Sequence, residues 1–213
     1  MIKKLTNLYV FGNGGAFKEI APLITKQRFY NIIIINNIDE SKDKNNSSFE
    51  SIDEDVFFKI YKSEKVNLVV LIGDVNIRKK IIDLIKINID FPVFPSFNFT
   101  ENKVDLMESE GNVIMPGSFF TDLSVVIGSF NYFNFNCFIA HDVSVESFNT
   151  FSPFVKISGN CKIKSNNFLG TGCILFPKVS IDNSSIGAGV VVKKKIVINK
   201  IIDIPKSIIY EKR

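Results

Sequence analysis

Residues 125–181 read VVIGSF NYFNFN CFIAHD VSVESF NTFSPF VKISGN CKIKSN NFLGTG CILFPK VSI when broken every six residues. The third place of each block is large and apolar: Ile127, Phe133, Ile139, Val145, Phe151, Ile157, Ile163, Leu169, Leu175 and Ile181. The first place, running from Val125 through Asn131 and Cys137 to Val179, is small or of medium size. Such a period means one flat β face per block, with three faces closing a triangular coil of about eighteen residues. Stacked coils require positions one coil apart to resemble each other, and they do. Asn131, Asn149 and Asn167 form one column, suited to a ladder of amides. Phe133, Phe151 and Leu169 form a second, and Val125, Val143, Cys161 and Val179 a third. The expectation is a parallel β-helix within residues 101–213. The period slips by one residue after Ile181 and resumes at Ile186, Val192 and Ile198, and the stretch to Arg213 is expected to cap the last coil.

Residues 1–100 carry a different pattern. Strands are expected at Leu5 to Phe11, Asn31 to Ile35 and Asn67 to Ile72, with helices from Ala16 to about Lys26, Asp53 to about Lys62 and Asn76 to about Ile87. Asp39 to Ser48 reads as a surface loop, and Phe91-Pro92-Val93-Phe94-Pro95 as a short last strand. Strands interleaved with helices imply βαβ units, a parallel sheet and a Rossmann-like α/β domain.

Composition narrows the function. With 46% hydrophobic and 23% charged residues the chain can build a packed core. A net charge of +4 is too mild and scattered for a nucleic-acid surface. No apolar run is long enough to cross a bilayer. The opening Met1-Ile2-Lys3-Lys4 imitates a signal peptide, but Thr6, Asn7 and Gly12 interrupt the apolar stretch that should follow, so a cytoplasmic protein is expected. Cys137, Cys161 and Cys173 all fall in the small inward slot. Cys137 and Cys173 are two coils apart, about 9.6 Å, beyond disulfide reach, and no metal motif is present.

His141, the only imidazole, follows the core position Ile139 by two residues and stands beside Asp142. An imidazole suits proton transfer near neutral pH, and an acidic neighbour orients it or raises its basicity. Gly159 lies one coil further along the same corner, where a bare backbone N–H is placed to stabilise an oxyanion. The plain alternative is a surface histidine without chemistry.

With Ala140-His141-Asp142 and Thr150-Phe151-Ser152-Pro153 inside the hexapeptide repeat, the sequence resembles the left-handed β-helix acyltransferases. Among them it is most similar to the bacterial N-acetyltransferases of nucleotide-linked 4-amino-4,6-dideoxysugars, and the sialic acid O-acetyltransferases share the layout. The left hand comes from this resemblance alone; the general rule for crossovers favours the right hand. The resemblance implies a homotrimer with acetyl-CoA in the groove between neighbouring β-helices. It implies His141 as base, Asp142 as its acidic partner and Gly159 as the amide facing the thioester oxygen. Asn134 matches an asparagine near the acetyl group, and Gly170, Gly172, Gly187 and Ala188 match positions lining the coenzyme groove. The sequence departs from the family where Val145-Glu146, Ile163-Lys164 and Ile181-Asp182 replace the common Ile-Gly, and where Asp203-Ile204-Pro205-Lys206-Ser207 stands for Gly-x-Pro-Ala-Lys.

Gly12-Asn13-Gly14-Gly15 follows an expected strand and opens an expected helix, the setting of a phosphate-cradling turn. A dinucleotide site calls for an acidic residue at the end of the second strand, and Asn36 and Asn37 stand there instead. In the resembling family this turn binds the diphosphate of a nucleotide sugar, which implies Lys18 near the phosphates and Asn36, Asn37, Gly73 and Asp74 near the nucleoside. A tight turn without ligand is the bland alternative. Lys193-Lys194-Lys195, Lys200 and Lys206 are a solvated face or an attractant for the coenzyme's phosphates. Three readings follow: N-acetylation of a nucleotide-linked amino sugar, O-acetylation of a sialic acid or related sugar, and a non-catalytic assembly module.

Overall fold

The computed structural model describes residues 6–24, 30–36, 49–85, 89–92, 109–121, 124–193 and 196–203. They form two compact units, one built on a five-stranded sheet and one on short coiled strands.

The first unit runs β1 (Thr6–Phe11), α1 (Gly15–Ile24), β2 (Tyr30–Asn36), β3 (Glu50–Asp53), α2 (Glu54–Ser63), β4 (Val66–Val70), α3 (Val75–Leu84) and β5 (Ile89–Asp90). The order across the sheet is β3-β2-β1-β4-β5, and every pairing is parallel. Leu8, Val10, Ile34, Leu68 and Val69 are buried, as strands covered on both faces require. On one side Phe57 of α2 packs against Tyr9 and Phe11, with ring centroids 5.4 and 5.5 Å away. The three expected strands and three expected helices are present. β3 and β5 are additions: each is too short and polar to show a period. The last strand is Ile89–Asp90 rather than a run from Phe91, and Val93 to Pro95 lie outside the described residues, as does the loop from Asp39 to Ser48.

The strand order reverses between β1 and β4, so their carboxyl ends open a crevice there. The two strand ends are drawn together by the Leu71 N–H donating to the Phe11 carbonyl at 2.8 Å. Gly12 takes φ +101° at this point, and a β-carbon on it would stand 2.7 Å from the Leu71 carbonyl oxygen. Only glycine passes here.

The second unit is a parallel β-helix with three faces. The first face stacks Phe119–Phe120, Phe138–Ile139, Lys156–Ile157, Ile174–Leu175 and Val191–Val192. The second stacks Val126–Ile127, Ser144–Val145, Lys162–Ile163, Ser180–Asp182 and Ile196–Ile198. The third stacks Val113–Ile114, Tyr132–Phe133, Thr150–Phe151, Phe168–Leu169, Ser185–Ile186 and Ile201–Ile202. All ten large apolar positions of the repeat and all ten small ones are buried. The asparagine column is a ladder. Asn131 Oδ1 accepts from Asn149 N at 2.9 Å and Nδ2 at 3.1 Å, and Asn149 Oδ1 accepts from Asn167 N and Nδ2, both at 2.9 Å. Beside it Phe133 and Phe151 stack at 4.5 Å.

The slip after Ile181 is absorbed by shortened coils: Leu169 pairs with Ile186 and Leu175 with Val192. Ser184 takes the ladder slot, its N–H donating to Asn167 Oδ1 at 3.0 Å. One more residue is then lost, so Ile181 pairs with Val197. Ile198, expected in the core row, is 48% exposed.

Candidate active site

Each coil turns at three edges, and the edge between the first and second faces carries the histidine. There Asp142 adopts φ +56°, which folds the chain back so that its carboxylate reaches the preceding side chain. His141 Nδ1 donates to Asp142 Oδ2 at 2.8 Å. An ionised carboxylate only accepts, so this contact puts the proton on Nδ1 and leaves the Nε2 lone pair available. Both side chains are about half exposed, at 52% and 51%. The imidazole is therefore open to solvent over part of its surface.

Gly159 sits one coil on, and a β-carbon there would lie 2.5 Å from both Cε1 and Nε2 of His141. The imidazole therefore rests on a bare backbone. Asn160 N donates to the His141 carbonyl at 3.0 Å, tying the two coils together at this level. No described residue accepts from the Gly159 N–H, which leaves that donor available. The structure brings His141, Asp142 and Gly159 together at this edge.

Asn134, Gly170, Gly172, Gly187 and Ala188 lie on a different edge, between the third and first faces. Asn134 Oδ1 accepts from Phe135 N at 2.8 Å. A β-carbon on Gly170 would come within 2.5 Å of Ala188 N, and one on Gly187 would strike the Asp203 carboxylate. Gly172 takes φ +68° with open space around it. A single copy of the chain thus separates the two sets of residues by the width of the first face. Asp203 is the one member of the altered closing motif among the described residues; Ile204 to Ser207 lie outside them, as do Lys194, Lys195 and Lys206. Lys193 Nζ lies 5.3 Å over the Phe176 ring.

The cysteines are free and buried. Burial pushes the Cys137 and Cys173 thiols up to about 12, so neither is an available nucleophile. Among the described residues no group of His, Cys, Asp or Glu could hold a metal ion, and no helix is long and apolar enough to cross a membrane.

In the first unit Gly12, Asn13, Gly14 and Gly15 form the β1-to-α1 turn, Gly14 and Gly15 with nothing near their Cα hydrogens and Lys18 exposed one turn into α1. Asn36 ends β2, and Gly73 and Asp74 lie between β4 and α3; Asn37 is outside the described residues. The helix amino ends differ. Asp74 caps α3, accepting from Asn76 N at 2.8 Å and Ile77 N at 2.9 Å. The first turn of α2 carries Glu54 and Asp55, whereas α1 has no acidic residue in its first turn. Of the three, α1 is the one whose amino end favours an anion. Sequence reasoning missed Arg78, which is fully buried and donates from Nη1 to the carbonyls of Ile72 at 2.6 Å and Gly73 at 3.3 Å. Its signal was an arginine in the buried stripe of Val75 and Ile82.

Known proteins share this architecture. Residues 7–85 match the PglD N-terminal domain family. A GDP-perosamine N-acetyltransferase of Escherichia coli is 26% identical over 192 residues, 86% of this chain and 84% of its own. The acetyltransferase domain of PglB from Neisseria gonorrhoeae superposes with a TM-score of 0.75 at 21% identity, covering 92% of this chain and 96% of its own. A histidine variant of perosamine N-acetyltransferase from Caulobacter crescentus, in complex with CoA and GDP-perosamine, gives 0.72 at 19% identity, covering 94% of each. Over most of its length the chain is thus similar to a GDP-perosamine N-acetyltransferase, and it shares the fold of sugar acetyltransferases built on a PglD N-terminal domain and a parallel β-helix.

Proposed function

We propose that the protein transfers the acetyl group of acetyl-CoA to the 4-amino group of a nucleotide-linked 4-amino-4,6-dideoxysugar for surface-glycan synthesis. The observation that carries this reading is the placement of His141: Nδ1 on the Asp142 carboxylate and the Nε2 side of the ring against Gly159. The sugar amine attacks the thioester carbonyl carbon, and Nε2 takes the proton the nitrogen sheds. The Gly159 N–H donates to the carbonyl oxygen as negative charge gathers there. Collapse expels the coenzyme thiolate, which regains the proton from the imidazolium, leaving an amide and free CoA. The relatives named for perosamine favour an amine acceptor, and one of them holds CoA together with GDP-perosamine.

Asn134, Gly170, Gly172, Gly187 and Ala188 would line the coenzyme groove, and a homotrimer would bring their edge beside the His141 edge of a neighbour. The outward side of the first face supports this, since Phe119, Phe138 and Val191 are exposed apolar residues and Phe119 stacks on Phe138 at 5.8 Å. The glycine turn and Lys18 would take the diphosphate, with Asn36, Asn37, Gly73 and Asp74 toward the nucleoside. The three free thiols fit a cytoplasmic setting, where acetyl-CoA is made.

The test is labelled acetyl-CoA with a panel of UDP-, dTDP- and GDP-linked 4-amino sugars, for the native protein and for His141→Ala. The expected result is an N-acetylated product from one nucleotide series, with turnover about a thousandfold lower in the variant and coenzyme affinity kept. Full activity of the variant would refute the base assignment, and acetylation of a sialic acid hydroxyl instead would replace the substrate.

A further inference from the structure

Three strands of the first unit end at the same level. Phe11 pairs with Ile35 and Ile35 with Ile52, so the next residues, Gly12, Asn36 and Asp53, stand abreast at the carboxyl edge of the sheet. Adjacent strands are about 4.8 Å apart, which puts Asp53 roughly 9.6 Å from the glycine turn. That separation suits a nucleotide laid across the edge, with phosphates at the turn and base over β3.

Asp53 precedes α2 in the same way that Asp74 precedes α3, with similar extended backbones, φ −75° ψ 152° and φ −68° ψ 120°. Asp74 spends its carboxylate on the helix amides, whereas Asp53 makes no such cap bond. The forgone cap bond leaves an exposed carboxylate at the sheet edge for another use. The acidic first turn of α2 repels phosphate from that end, which fixes the direction of the nucleotide.

On these grounds, and resting on the nucleotide-sugar reading above, we propose that Asp53 selects guanine as the base of the sugar donor. Guanine presents N1–H and the N2 amino group side by side, two donors that match the two oxygens of one carboxylate. Uracil and thymine present a single N3–H between two carbonyls, so the same carboxylate meets one donor and repels the oxygens beside it. Asn36, between the turn and Asp53, is left facing the ribose.

Titration calorimetry with GDP, IDP, UDP and dTDP tests this, for the native protein and for Asp53→Asn. IDP lacks only the N2 amino group. Native protein is expected to bind GDP on the order of tenfold tighter than IDP and a hundredfold tighter than UDP or dTDP. In Asp53→Asn the GDP preference over IDP should vanish while the melting temperature is not lowered, because no cap bond is lost. Equal native affinity for GDP and IDP, a native preference for UDP or dTDP, or a variant that keeps the GDP preference would each overturn the assignment to Asp53. Failure of the native protein to bind any of the four would instead overturn the nucleotide reading beneath it.

Discussion

A β-carbon at Gly159 has nowhere to go. Built there, it would stand 2.5 Å from the imidazole, well inside van der Waals contact, and His141 is held at its other side by the Asp142 carboxylate. In Gly159→Ala the ring must swing outward, stretching or breaking the Nδ1 bond and carrying Nε2 away from the backbone donor. Misplacing a general base by about 1 Å costs on the order of a hundredfold. Gly159→Ala should therefore lower kcat about a hundredfold while leaving the fold intact, because the glycine's φ is outside the left-handed region and its carbonyl still accepts from Lys178 N at 3.1 Å. A drop in melting temperature in proportion to the lost activity would show that Gly159 serves the scaffold and not the site. The histidine itself was legible in the sequence because it was alone in the chain. The demand on Gly159 was half legible: spacing gave its place beside His141, but the contact that forbids a side chain needs coordinates.

The β-helix was legible for a reason that the N-terminal sheet was not. Each coil repeats the same three-dimensional slot, so an inward residue is tested ten times in phase. β3 and β5 have four and two residues, too few for any period to declare itself. The second shortening after Ser184 was hidden by Val197 and Ile198, adjacent apolar residues between which periodicity alone cannot choose. The corners were hidden too: Ser124, Phe130, Asn136, Asp142, Phe148, Phe154, Asn160, Asn166, Gly172 and Lys178 all adopt positive φ, and only one of them is glycine. Such a conformation costs an ordinary residue roughly 1 kcal/mol or more, so something regular must offset it. The asparagine ladder does part of this, each amide filling a backbone donor of the next coil at a buried turn. Asn149→Leu keeps the branching at Cγ in a larger side chain, but strips the acceptor from Asn167 N and the amide donor from Asn131 Oδ1. The expected loss is about 2 to 4 kcal/mol, read as a lower urea midpoint. An unchanged midpoint would mean the ladder is incidental to the coil.

At the scale of the molecule, one copy of the chain holds His141 and Gly159 on one edge and Gly172 on another, with a whole face between them. If the reaction needs both edges, each must come from a different copy, and two separately inactive variants should repair each other. His141→Ala removes the imidazole proposed as the base. Gly172→Phe places a ring in the open space around Gly172, at a positive φ that Phe130, Phe148 and Phe154 already tolerate, so it should obstruct the groove without breaking the coil. In the proposed closed threefold ring every mixed trimer contains one junction where an intact histidine edge meets an intact glycine edge. Random assembly of equal amounts makes three-quarters of the trimers mixed, so about a quarter of the native activity should return. Dissociating and reassociating the two variants together, against each treated alone, measures it. Activity that stays at the level of the separate variants, in a sample shown by mass to contain mixed trimers, would mean that one subunit supplies the whole site and that the second edge has no part in the chemistry.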